Sequence, residues 1–135
     1  MATVNEAICS ILNADAQITT SGCLGNLLGK YTTKPYGVYF INPPNAPIFP
    51  IITYSEVAAS GRMPVTVAIN FTAWGNNYEA ILNRIYILLH EKIIGSTTGL
   101  TAVQIMWNWS GPVIFDENFK VHAQTHRYLV YGVKS

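Results

Sequence analysis

Two histidines four residues apart, His122 and His126, are the first candidates for chemistry in this chain. On a helix that spacing would put both imidazoles on one face, where they could share a metal. On a strand it separates them by roughly 13 Å, too far for one ion. The surrounding residues, with Val121, Ala123, Leu129, Tyr131 and Val133 in one register, read as a strand, so the pair is expected to be an ordinary polar strand face. The same geometry argues against an enzyme built on His122, His126 or Arg127. Asp116 and Glu117 are adjacent carboxylates in a polar turn, whereas paired acids for glycoside chemistry come from separate elements facing a cleft. No serine or cysteine sits in a Gly-x-Ser-x-Gly elbow. Gly22, Gly25 and Gly29 do not form a dinucleotide-binding pattern. Two glycosylation sequons, at Asn70 and Asn108, lie in strand-like sequence and are read as chance matches. Trp107, Trp109 and Tyr128 are the remaining constellation. They could stack single-stranded nucleic acid or line an apolar pocket for a small ligand. A stacking platform needs a basic groove beside it, and none is visible, so core or protein interface is favoured. The expectation is therefore no catalytic residue, no metal and no cofactor.

The elements that hold these residues follow from periodicity. Thr3 and Glu6 form a capping box, and Val4, Ala7, Ile8, Ile11 and Leu12 share a helical face, which predicts a helix over about 3–14. Tyr36 to Ile41 and Pro50 to Val57 are strand candidates, separated by a proline-rich stretch at Pro43, Pro44 and Pro47 that cannot continue a ladder. Val65, Val67, Ile69 and Phe71 alternate with polar or small residues, so 65–74 reads as a half-buried strand. Asn76 or Asn77 is placed to cap a helix over about 77–94, striped by Tyr78, Ile81, Leu82, Ile85, Leu88 and Leu89 and stopped by Gly95. Val103, Ile105, Trp107 and Trp109 alternate in a further strand. Asp116 to Asn118 is turn material, and 120–133 is a long final strand. The predicted order is α-β-β-β-α-β-β in one domain spanning 1–135. The fold class is α+β, one mostly antiparallel sheet of four to five strands with two helices packed on it.

Composition bounds the partners. Only 15 of 135 residues are charged, 11%, where an ordinary soluble domain has about 25%. Half the residues are apolar, so part of the surface is expected to be covered by another protein. A net charge of +1 and scattered basic residues give no footprint for gripping nucleic acid. The longest strongly apolar stretch, from Ile85 to Leu89, is far short of the roughly 20 residues that span a bilayer, and no secretory signal is read at the N-terminus. Cys9 and Cys23 cannot make a zinc site unaided and read as reduced thiols, with a disulfide between them the alternative.

From residue 64 onward the pattern becomes a resemblance. The strand from Val65 to Trp74, the helix opened by Asn77 and Tyr78, the strand bearing Trp107 and Trp109, and the passage from Phe115 to His122 into Arg127–Tyr131 resemble the tail-completion, or tail-terminator, proteins of long-tailed bacteriophages. The N-terminal helix and polar loop suit that family as well. The resemblance implies a virion protein, assembled in the host cytoplasm, that forms a homo-oligomeric ring, expected to be a hexamer. That ring would cap the tail tube protein, present a docking face to the head-connector or stopper protein, and let DNA pass through its lumen without sequence-specific binding. It implies no catalytic residues. Other neck rings, a stopper or head-completion protein, are the nearest alternative, and a small-ligand binding module is another.

A head-to-tail ring needs two different patches per subunit. The hairpin region 42–64 is expected to reach a neighbour, because Ile48, Phe49 and Met63 are poorly suited to a free loop and Arg62 is the charge near its tip. Folding back on its own sheet is the alternative for that loop.

Overall fold

The alternating residues of 65–74 form the central strand of a sheet that organises the whole molecule. The protein was described by a computed structural model covering residues 4–15, 38–40, 51–59, 65–97 and 100–134. Its elements are α1 (Val4–Ala14), β1 (Val38–Phe40), β2 (Ile51–Ala59), β3 (Val65–Trp74), α2 (Tyr78–Leu89), β4 (Ile93–Thr97), β5 (Leu100–Ser110), β6 (Ile114–Asp116) and β7 (Val121–Lys134). The strand order is β1-β2-β3-β7-β5-β4, with β6 also paired to β7. Among the described pairs only β1–β2 is parallel. The fold class is α+β, with a mostly antiparallel sheet, as expected.

Both helices lie on one face of this sheet. Val4, Ile8 and Leu12 recur every four residues along α1, and Ile81, Leu82, Ile85 and Leu89 form the buried stripe of α2. They close over Ile52, Val67, Ile69, Phe71, Ala73, Val103, Ile105, Tyr128 and Val130. Each buried aliphatic or aromatic side chain contributes about 1.5–3 kcal/mol gross. Arg84 on α2 clamps Asp15, just past α1, through Nε to Oδ2 at 3.1 Å and Nη2 to Oδ1 at 2.7 Å. This hydrogen bond holds the Arg84 guanidinium above its ordinary value.

Three sequence expectations are corrected. The second helix ends at Leu89, not near residue 94. His90 N donates to Tyr86 O, Glu91 turns left-handed at φ 63°, and its N–H pairs with Ile105 O of β5. The stop was hidden because a glutamate, not a glycine, takes the left-handed position. Gly95 instead lies within β4 at φ 71°, beside the register shifts of the β4–β5 pair. Asn77 is the N-cap residue of α2, without a side-chain cap hydrogen bond. The described sheet has seven strands rather than four or five, because the start of β4 was read as the end of the helix, and Asp116 of β6 as the start of a turn. Asp116 ends β6 and accepts the N–H of Lys120 at 2.7 Å, and Lys120 turns at φ 57°, where the sequence again offers no glycine.

Ile48, Phe49, Arg62 and Met63, expected to reach a neighbour, lie outside the described residues, as do Thr3 of the capping box and Cys23.

Candidate functional site

Strict alternation along β5 would put Trp107 and Trp109 on the same face. The ladder to β7 breaks that rule: Trp107 faces Tyr128, and Trp109 faces the next partner, Arg127. Two residues thus oppose one, which defines a β-bulge. The extra residue, Asn108, sends the two indoles to opposite sides of the sheet. The platform or pocket that Trp107, Trp109 and Tyr128 could have formed, the less favoured reading of these residues, is therefore not assembled. Tyr128 is in the core, with 0% exposure.

On the helix side, Trp107 meets Tyr86 of α2 and His126 of β7 edge-on, each at 6.3 Å between ring centroids. Tyr86 stacks on His90 at 4.7 Å, and His90 Nδ1 accepts the Trp107 N–H at 3.0 Å. A shallow cleft of about 360 Å³ lies between Asn83, Tyr86, Trp107 and His126. Beneath it the Tyr128 hydroxyl and His126 Nδ1 are buried without a hydrogen-bond partner among the described residues. Burial pushes the Tyr128 phenol well above its ordinary value, helped by nearby Tyr86, and pushes the His126 imidazole down. Both groups are thereby kept neutral. His122 lies on the same side of β7, between the rings of Tyr78 and Phe115, and does not join His126 in a shared site. Among the described residues no cluster of His, Cys, Asp and Glu could hold a metal.

The other face has a polar pattern. Thr72 and Thr125 share a hydroxyl hydrogen bond at 2.7 Å, and Trp74 Nε1 donates to Thr53 Oγ1 at 2.9 Å. Across β2, β3, β5 and β7, the described side chains on this face include one charge, Arg127. Its Nε donates to Asn70 Oδ1 at 2.9 Å, and its guanidinium lies over the Trp109 ring at 5.5 Å from the centroid. The indole in turn lies against Gly111, where a Cβ would come within 2.9 Å of it. Gly111 is pinned by its N–H to Thr125 O and by its carbonyl, which accepts Gln124 Nε2, both at 2.8 Å. These residues border a groove of about 270 Å³ that also includes Pro112 and Ile114.

Beyond the groove, β6 and the start of β7 form a hairpin. Its turn is preset: Asp116 Oδ1 accepts the Phe119 N–H at 2.9 Å, and Phe119 folds edge-on against Trp74. Along this edge Trp109, Val113, Ile114, Phe115 and Phe119 are 37–53% exposed. At about 150–250 Å² for a whole aromatic side chain, that amounts to on the order of 400–500 Å² of apolar surface. Phe115 leans toward His122 and Trp109, Ile114 and Phe119 toward the other face, so this apolar surface wraps around the edge, and an isolated chain rarely leaves so much of it without a use. The sequence reading placed the interface elsewhere and treated Asp116 to Asn118 as mere turn. The signal it passed over was the apolar run from Val113 to Phe115 followed by acids.

No protein-family model matches the sequence, and no curated protein does. A solved structure shares the fold: a chain described as the virion of a native gene transfer agent particle, with a TM-score of 0.65, covering 96% of this chain and 94% of that chain at 12% sequence identity.

Proposed function

We propose that this chain is a structural virion protein of a phage-type neck, a ring-forming tail terminator that caps the tail tube and joins it to the head connector. The observation that carries the reading is the end-to-end fold likeness to a chain of a gene transfer agent virion, which spans nearly all of both chains. The chemistry of the surface supports it. A charge content of 11% and an exposed apolar edge suit a subunit covered by copies of itself, with tube protein below and connector above. DNA passing through the lumen needs a wall that does not grip it, and a net charge of +1 suits that need. The role requires no catalytic group and no cofactor.

Electron cryo-microscopy of the particle that carries this chain tests the proposal. Density is expected as a ring at the tail–head junction, and density anywhere else would sink it. Deleting the gene separates the terminator from its nearest relatives. Loss of a terminator leaves tails of uncontrolled length, whereas loss of a stopper leaves finished tails and leaking heads.

A further inference from the structure

We infer that the hairpin tip of one copy, carrying Glu117, docks in the Arg127 groove of a second copy, forming a head-to-tail contact that repeats around an oligomer. This deepens the neck-ring reading and rests on it only for the ring.

Arg127 is held ready for an acid from outside. Its Nε is used by Asn70 and its face by Trp109, which leaves the outer nitrogens aimed without a carboxylate among the described residues. Guanidinium groups fixed in this way are suited to paired carboxylate recognition. The groove at its foot holds about 270 Å³, less than the roughly 300–1,000 Å³ of small-molecule sites, but room for a side chain or two from a protein turn. Its walls are part apolar, Trp109, Pro112 and Ile114, and part neutral-polar, Gln124, Thr125 and Asn70.

The hairpin supplies the complement. Glu117 is exposed and makes no ion pair among the described residues, and it sits between Phe115, 53% exposed, and Phe119, 37% exposed. The turn is pinned by Asp116 and Trp74, so little ordering entropy is lost when it docks. Tip and groove are different patches on one chain, as a heterologous interface requires. The exposed apolar side chains divide between the two patches, Phe115 and Phe119 at the tip and Trp109, Val113 and Ile114 at the groove, so each brings about half of the edge's ~400–500 Å², a small part of the ~800 Å² that one partner gives to a standard interface, and the charge pair sets the register. Nucleic acid is the weaker occupant, because a single cation on this face makes no basic groove.

The test is oxidative cross-linking of the full chain at millimolar concentration. A Cys9→Ser, Cys23→Ser background carries Asn118→Cys at the tip and Pro112→Cys at the groove rim. Within one copy these two positions lie about 15 Å apart at ~3.3 Å per residue, beyond disulfide reach. A ladder of dimers, trimers and larger species is expected. Arg127→Glu should cut ladder formation at least tenfold, and adding Glu117→Arg should restore it to within about threefold. Absence of a ladder, a product that stops at dimer, or failure of the charge swap to rescue would overturn the contact. So would an Arg127→Glu variant that keeps the ladder but loses binding to a 30-nucleotide single strand. The neck reading fails separately, on where the chain sits in the particle.

Discussion

On one side of β7, His126, Tyr128 and Val130 run beneath the helices; on the other, Thr125, Arg127 and Leu129 face outward from the same short stretch. The helix side is closed by apolar packing. Its buried polar atoms at Tyr128 and His126 have no partner among the described residues, and its charged groups Arg84 and Asp15 pair with each other. The other side satisfies its polar groups pairwise and, among the described side chains, keeps one charge, Arg127, part-exposed. The difference separates two tasks: the covered face supplies folding free energy, and the open face with its hairpin supplies contacts to other molecules. Substitutions should therefore sort by side, one set changing stability and the other assembly.

The largest effect is expected at Phe71, which has 0% exposure and meets Tyr54 and Tyr128 ring to ring. Phe71→Ala should cost about 3–5 kcal/mol in urea unfolding, a large part of the roughly 5–15 kcal/mol that a small domain has. Trp109→Ala, on the open side and 45% exposed, should cost under ~1 kcal/mol while removing the floor beneath Arg127. Equal losses at both sites would end the division by face.

Asp15→Asn comes next. It leaves the Arg84 guanidinium without its charged partner and should cost about 1–2 kcal/mol, discounted because Arg84 is 21% exposed. Chemical unfolding measures it, and no change would mean that α1 is held on α2 by Ile8 and Leu12 alone.

The covered face was legible in the sequence. Val67, Ile69 and Phe71 alternate, and Ile81, Leu82, Ile85 and Leu89 keep helical spacing, because burial imposes a period. The open face was not legible, for local reasons. One extra residue at Asn108 reverses the side on which Trp109 emerges, and hydropathy carries no trace of a bulge. Glu91 and Lys120 take left-handed positions that sequence reasoning assigns to glycine, which hid the end of α2 and the turn after β6. Arg127 looked like one scattered cation. Its significance comes from Asn70 and Trp109, 57 and 18 residues before it in the chain.

A smaller effect of opposite sign is expected at Tyr128. Its hydroxyl is buried without a partner among the described residues, so the folded state bears a desolvation cost that the unfolded chain does not. Tyr128→Phe keeps the ring and its edge contact with Phe71 while removing that cost. Stability should be unchanged or rise by up to ~1 kcal/mol. A loss above ~1 kcal/mol in urea unfolding would show that the hydroxyl is satisfied and that the covered face is more polar than its side chains indicate.

The subtlest difference between the faces is in pH dependence. His126 is half-buried beside Trp107, and burial lowers its pKa below the ordinary 6.5, while the unfolded chain keeps about that value. Above pH ~6.5 the imidazole is neutral in both states and its contribution to stability is fully present. As pH falls through 6.5 toward the lower folded value, the unfolded chain takes up a proton that the folded chain refuses, so stability declines. Unfolding free energy should therefore drop between pH 7 and pH 5, and His126→Gln should flatten that slope. His122→Gln, on the exposed start of the same strand, controls for simple loss of an imidazole. If the His126→Gln chain kept the wild-type slope, acid sensitivity would lie outside the covered face, and the division between a folding side and an assembly side would have to be redrawn at β7.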